Sequence, residues 1–248
     1  MDYFYLLFVI TFIAYLVKGL TGFGPALIII PFFTLLLGVE FALPALALFD
    51  LIAGIILFLS VYKKIDWQFC FPLIIFIGLG SFTGANIVLA IPLSIITSFV
   101  GIIILCFGIY LLFAENNKYK AEQSHGNTSK KKLKTGAILM AFSGGVLGGL
   151  AGISGPPLVI YLKKFFSKSF FRTQLIVIFL FENIIKLSVY YRGGWVELPE
   201  LKLVFLNIPA LLLGLGLGSI LHFRISDKLF NRVVAIVLIL ISLKILFK

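Results

Sequence analysis

Two carboxylates stand where a carboxylate is hardest to keep. Asp50 falls near the middle of the apolar run 43–61, and Glu182 near the middle of 175–190, with Asn183 beside it. Ionisable groups inside apolar spans are costly and usually functional. A carboxyl held there can load and release a proton, which makes Asp50 and Glu182 candidates for proton coupling. For Glu182 there is a plainer reading. Lys186 lies four residues on, in the favourable orientation for a helical ion pair, and the two can simply neutralise each other.

A second constellation carries no formal charge. Residues 19–31 read GLTGFGPALIIIP, and residues 149–161 read GLAGISGPPLVIY. Gly19, Gly22, Gly24, Pro25 and Leu27 find counterparts in Gly149, Gly152, Gly155, Pro156 and Leu158, with one residue inserted in the second copy. Pro25 and Pro156 sit where a helix begins, since proline suits a first helical turn. A helix start carries free N–H groups and partial positive charge, and preceding glycines let a ligand approach the backbone. Each copy is therefore a candidate anion site, with Thr21, Gly22 and Gly24 in the first and Gly152, Ser154 and Gly155 in the second. The plainer reading is that the glycines only permit tight turns and helix packing.

Residues 152–155 also match the GxSG of rhomboid intramembrane proteases, in which a histidine activates a membrane serine. A base must come within hydrogen-bond reach of the serine. The histidines are His125, in a polar stretch, and His222, at the end of a span beside Arg224. The first copy has no serine at the matching point, so the motif follows backbone shape rather than a nucleophile. Cys70 and Cys106 lie in apolar runs without metal-ligand spacing and read as buried thiols. No metal and no cofactor is expected.

The elements that must position these groups are membrane helices. The chain is 61% hydrophobic and 12% charged, far too apolar for a soluble domain of 248 residues. Several runs approach the ~20 residues needed to cross a bilayer. They lack the alternation of a membrane barrel, which leaves an all-α polytopic protein whose remaining partner is the lipid bilayer. The net charge of +11 reads as loop charge that sets topology, not as a nucleic-acid surface. The chain opens Met1-Asp2-Tyr3 with no basic residue ahead of the first run, so no cleavable leader is expected.

The runs fall into two similar blocks. In the first, arms 3–17 and 25–37 flank a break at 18–24, followed by spans 43–61, 69–90 and 95–113. In the second, arms 136–149 and 156–166 precede spans 175–190, 201–221 and 229–247. Gly80 and Gly84 fall opposite Gly214 and Gly218 at one constant offset; Gly78 and Gly216 complete the glycine-rich stretches, whose small residues let helix backbones approach closely. Asn86 and Asn207 read as interhelical glue. The expected organisation is a membrane repeat over 1–113, a polar loop over 114–134 and a second repeat over 135–248, each repeat with about five helical segments and a Gly/Pro-broken hairpin at its start.

Charge decides the orientation. If each broken segment is a hairpin returning to its own side, then Lys63, Lys64, the lysines of 115–134, Lys163, Lys164, Lys168, Arg172, Arg224, Lys228 and Arg232 share one face. Only Arg192, Lys202, Lys244 and Lys248 fall on the other. A single crossing of each broken segment distributes them far more evenly. The hairpin arrangement satisfies the positive-inside rule. It leaves an odd number of full spans per half, so the halves are inverted. Both termini are then expected outside the cytoplasmic membrane, with loop 114–134 in the cytoplasm.

On the paired segments GLTGFGPALIIIP and GGVLGGLAGISGPPLVIYL, each opening a block that ends in a Gly-rich and an apolar span, the chain resembles the TauE/SafE sulfite exporter family. The resemblance covers nearly the whole length. It implies a carrier of sulfite, sulfonates or related small organic anions across the cytoplasmic membrane. The first copy departs from the second: it has Ala26 where the second has Pro157 and lacks the residue before the proline, so the two tips need not contribute equally. The expected mechanism is a small anion clasped between the two tips while the inverted halves rock around it. A protease and a non-transporting membrane scaffold are the alternatives; substrate, direction and oligomeric state are left open.

Overall fold

Within a bilayer, a backbone of this composition satisfies its own polar groups by forming helices. The computed structural model describes residues 4–21, 24–113, 135–162, 165–166, 168–220 and 227–247. Among them are ten α-helices: α1 (Phe4–Thr21), α2 (Ala26–Leu37), α3 (Val39–Val61), α4 (Trp67–Ala90), α5 (Leu93–Phe113), α6 (Thr135–Ala151), α7 (Gly155–Leu162), α8 (Lys168–Arg192), α9 (Leu198–Ile220) and α10 (Asp227–Leu246). Five helical stretches are long and apolar enough to cross a membrane: Val39–Lys64, Trp67–Ala90, Leu93–Tyr110, Phe170–Arg192 and Leu201–Ile220. The stretches Phe4–Leu20, Ala26–Leu37 and Thr135–Ala151 are apolar but shorter. Large apolar side chains such as Phe71, Leu79 and Phe82 on α4, or Ile95 and Ile102 on α5, point outward, as lipid-facing surface should.

The breaks are backbone features. Pro25 precedes α2, and Gly24 adopts φ +98°, a conformation that only glycine takes without strain. Gly38, at φ +95°, turns α2 directly into α3. Gly152, at φ +72°, follows the end of α6. The first break starts later than the sequence suggests, because α1 continues through Lys18 and Gly19 to Thr21. A Cβ at Gly19 would press on the Leu215 carbonyl of α9 at 2.6 Å, so packing holds this glycine in the helix. α8 likewise starts well before residue 175. Phe171 and Leu175 pack with Phe69, Cys70 and Leu73 of α4. The buried Gln174 accepts the Asp66 N–H at 3.0 Å.

The helices pair in a pattern that swaps with itself when the halves are exchanged. α1 packs on α9 and α6 on α4; α3 packs on α8 and α5 on α10. The glycines set the first two contacts. A Cβ on Gly80 or Gly84 would strike the Phe142 or Val146 carbonyl of α6, and a Cβ on Gly214 or Gly218 would strike the Phe12 or Leu16 carbonyl of α1. Both register series ascend together, so these pairs run parallel. Gly54 of α3 faces Leu180 of α8, the segment just after α3 meets the start of α8 through Lys64 and Asp66 on Gln174, and Gly101 and Gly108 of α5 face Ile245 and Ile239 of α10 in descending order. The pairs α3/α8 and α5/α10 are therefore antiparallel.

Three expectations change. Cys70 is buried but Cys106 is exposed on α5. It sits on the outward face of a helix whose apolar residues surround it on all sides, which hydropathy cannot resolve. Asn86 and Asn207 each donate to the carbonyl one turn back in their own helix, Phe82 and Leu203, at 2.8 Å. Gly216 meets nothing within 4 Å, unlike its neighbours Gly214 and Gly218. The expected polar loop 114–134 lies outside the described residues.

Candidate functional site: a cavity between the two broken segments

The two breaks face one space. A cavity of about 470 Å³, its open mouth included, is lined by Gly24, Pro25, Ala26 and Leu27 from the first break and Gly152, Ile153, Ser154, Gly155 and Pro156 from the second. Lys18 of α1, Asp50 of α3 and Phe179 and Asn183 of α8 complete the wall. Of the residues singled out from sequence, Gly24, Gly152, Ser154, Gly155 and Asp50 thus lie on one cavity. Gly22 and the Thr21 side chain lie outside the described residues. Glu182 stands behind the wall, fully buried.

The donors at the tips are fewer than an ideal helix start offers. In α2 the Leu27 N–H is taken by the Gly24 carbonyl at 3.1 Å. In α7, Pro156 and Pro157 have no N–H to give. Formal charge fills that gap. Lys18 Nζ stands 2.6 Å from Asp50 Oδ1, and the Tyr15 hydroxyl donates to the same oxygen at 2.7 Å. Both side chains of the ion pair are nearly buried, at 9% and 14% exposure. The Asn183 Nδ2 donates to the Phe179 carbonyl at 2.8 Å, while its Oδ1 has no partner among the described residues, and Asn183 itself is 2% exposed. A cation, a carboxylate, a hydroxyl and an amide therefore share this space with the apolar side chains of Leu27, Ile153 and Phe179 and with the glycines and prolines of the two breaks.

Glu182 keeps different company. Lys186 Nζ is 3.1 Å from its Oε1, and the two side chains are 0% and 3% exposed. A Cβ at Gly148 would collide with that carboxylate and with the Ser154 side chain, so the three converge at one point of α6. The two histidines that a serine protease reading would require, His125 and His222, lie outside the described residues.

A second cavity of about 230 Å³ adjoins the first, sharing Lys18, Asp50, Phe179 and Asn183 and adding Gly54, Leu57, Ile176 and Leu180. It follows α3 and α8 toward the ends of the two helices that carry Lys63, Lys64 and Arg172. There the Arg172 guanidinium donates to the Gly19 carbonyl near the end of α1 at 2.9 Å.

Residues 7–245 match the family model described as sulfite exporter TauE/SafE. The chain belongs to that family. Comparisons with curated proteins and with solved structures return no match. Membership covers nearly the whole chain and includes both broken segments. The TauE/SafE chain is a multi-pass membrane protein of a transporter family, and the protease alternative is not favoured.

Sequence reasoning missed Lys18 and Tyr15 as site residues. The signal was present: Lys18 is the one formally charged residue in the run 4–21. It was absorbed into the break, where a lysine reads as the polar end of a short arm. Only the fold shows it delivered across to α3.

Proposed function

We propose that the protein is a secondary transporter of sulfite, a sulfonate or a related small anion, which binds in the cavity between the two broken segments. The observation that carries this reading is that both breaks, far apart in sequence, line one cavity that also holds Lys18. The family name supplies the substrate class, and a space of this size with a cation and polar donors suits a small oxyanion.

The halves act as inverted repeats that rock around this site. The antiparallel packing of the corresponding helices α3/α8 and α5/α10 supports the inversion, as does the matching of Gly80–Phe142 contacts with Gly214–Phe12. Placement in the cytoplasmic membrane, with both termini outside and loop 114–134 in the cytoplasm, puts the basic end of α3 and α8 inside. The adjoining cavity then leads from the tips toward the cytoplasm. Asp50, on the cavity wall, is the better placed of the two carboxylates to couple protons to transport; Glu182 lies behind it.

The test is sulfite and sulfonate flux into liposomes holding the purified protein. Gly24→Leu forces a side chain onto a backbone at φ +98° and should abolish flux while the protein still inserts. Full flux in that variant, or equal flux in protein-free vesicles, would sink the proposal.

A further inference from the structure

We propose that Lys18 is the cation engaged by the transported anion and that Asp50 is its internal rival, so that one proton enters Asp50 for each negative charge bound. This rests on the anion-transport reading above and deepens it.

The two halves show why Lys18 is singled out. In the register that pairs Gly19 with Gly149, Lys18 falls opposite Gly148. In the register that pairs Asp50 with Glu182, Gly54 falls opposite Lys186. A lysine and a glycine have exchanged places between the repeats. In the second half the carboxylate of Glu182 fills the spot next to Gly148, where the first half has its lysine, and Lys186 reaches it from its own helix at 3.1 Å. That pair is closed within α8, is buried, and lines neither cavity. In the first half the lysine comes from α1 and the carboxylate from α3, and both line both cavities. Among the described residues, the first pair is the one that faces the cavities.

An ammonium this far from bulk water needs a counter-charge. With Asp50 ionised, Asp50 supplies it, the site is neutral, and an arriving anion meets a like charge. When Asp50 takes one proton from water in the cavity, its carboxylate becomes a neutral acid. Lys18 keeps its proton and its charge and pairs with the anion. The Asn183 Nδ2 gives one N–H to the Phe179 carbonyl and carries a second that can bond a ligand oxygen. The site is neutral before and after, so a monoanion crosses with one proton and moves no net charge through the low-dielectric centre. The other titratable groups near Asp50 are Tyr15 on α1 and the self-neutralised Glu182–Lys186 pair on α8. α2 has none, and Lys202 of α9 and Cys106 and Tyr110 of α5 are exposed.

The experiment uses methanesulfonate, a fixed monoanion, beside sulfite, which itself titrates. Uptake into proteoliposomes is measured under a pH gradient and, separately, under a potassium-valinomycin potential. Wild-type uptake should follow the pH gradient and ignore the potential. Asp50→Asn leaves Lys18 permanently unpaired. It should bind methanesulfonate at least about tenfold more tightly near neutral pH, given what an opposed buried charge costs. It should also lose its pH dependence and become voltage-sensitive. The double variant Lys18→Gln/Asp50→Asn removes both charges, should insert normally, and should lose binding. If wild-type flux ignores pH, if Asp50→Asn keeps the wild-type pH and voltage profile, or if the double variant binds like wild type, the competition idea is overturned while transport stands. If wild type moves neither anion, the transport reading falls and this proposal falls with it.

Discussion

Glu182 takes its lysine from its own helix, whereas Asp50 takes its lysine from another helix across a cavity. Glu182 and Lys186 face each other along one helix, and neither can leave without stranding the other. Removing one partner of a buried pair costs about 3–5 kcal/mol, while removing both together costs much less. Glu182→Gln and Lys186→Met singly should therefore lower the melting temperature in detergent far more than the two combined. Additive losses would argue against a closed pair. At the cavity the expectation is different. Ser154→Ala and Asn183→Ala each remove one polar group from the wall, a hydrogen bond being worth about 1 kcal/mol net. Each should weaken sulfite binding roughly two- to tenfold by calorimetry with little change in melting. Unchanged affinity in both would move the ligand elsewhere.

Helices meet here through glycine. Gly80 and Gly84 seat α4 on the α6 backbone, and Gly214 and Gly218 seat α9 on α1. The listener across each contact is a carbonyl, which cannot step aside as a side chain can. Gly80→Ala should destabilise by about 1–3 kcal/mol, the usual cost of overpacking. Gly216→Ala, with nothing within 4 Å, should be neutral or gain up to about 1 kcal/mol from helix propensity. Thermal melts that rank the two alike would contradict the packing. Between α3 and α8 the same residue type has another role. Gly54 lies on the second cavity, with a Leu180 methyl at 3.0 Å from where its Cβ would be. Gly54→Phe should therefore block flux from the basic side while sulfite binding from the opposite side persists. Undiminished flux would show that the passage does not run there.

Across the whole molecule, the proposed inverted arrangement makes a topological prediction. With Cys70 and Cys106 replaced by serine, a single cysteine introduced at Lys63 should react with a membrane-impermeant thiol reagent only from the cytoplasmic side. One introduced at Lys202 should react only from outside. Both residues are exposed, and they lie on helices of different halves at opposite ends of the charge distribution. Labelling of both from one side would reject the hairpin topology and with it the alternating-access scheme. The two-fold pattern of contacts, α1 with α9 and α6 with α4, also means that each hairpin rests on the far half of the protein. The proposed rocking motion would have to slide along these glycine seams.

Hydropathy and the paired Gly/Pro segments were enough to read a helical membrane protein and to expect breaks within 18–24 and 150–155, the first of which starts later than expected because α1 runs on to Thr21; they also singled out Asp50 and Glu182 as unusual residues. These are local signals: a span needs length and apolarity, and a break needs glycine and proline. The partners of those residues were not legible, because partnership is set by which helices meet. Nothing in the string shows that Lys18 crosses from α1 to Asp50, that Gly214 and Gly218 carry the contact while Gly216 does not, or that Glu182 turns away from the cavity toward Lys186. Half a turn of a helix, about two residues, reverses the direction of a side chain, and only the packing of the helices decides which direction is the inside.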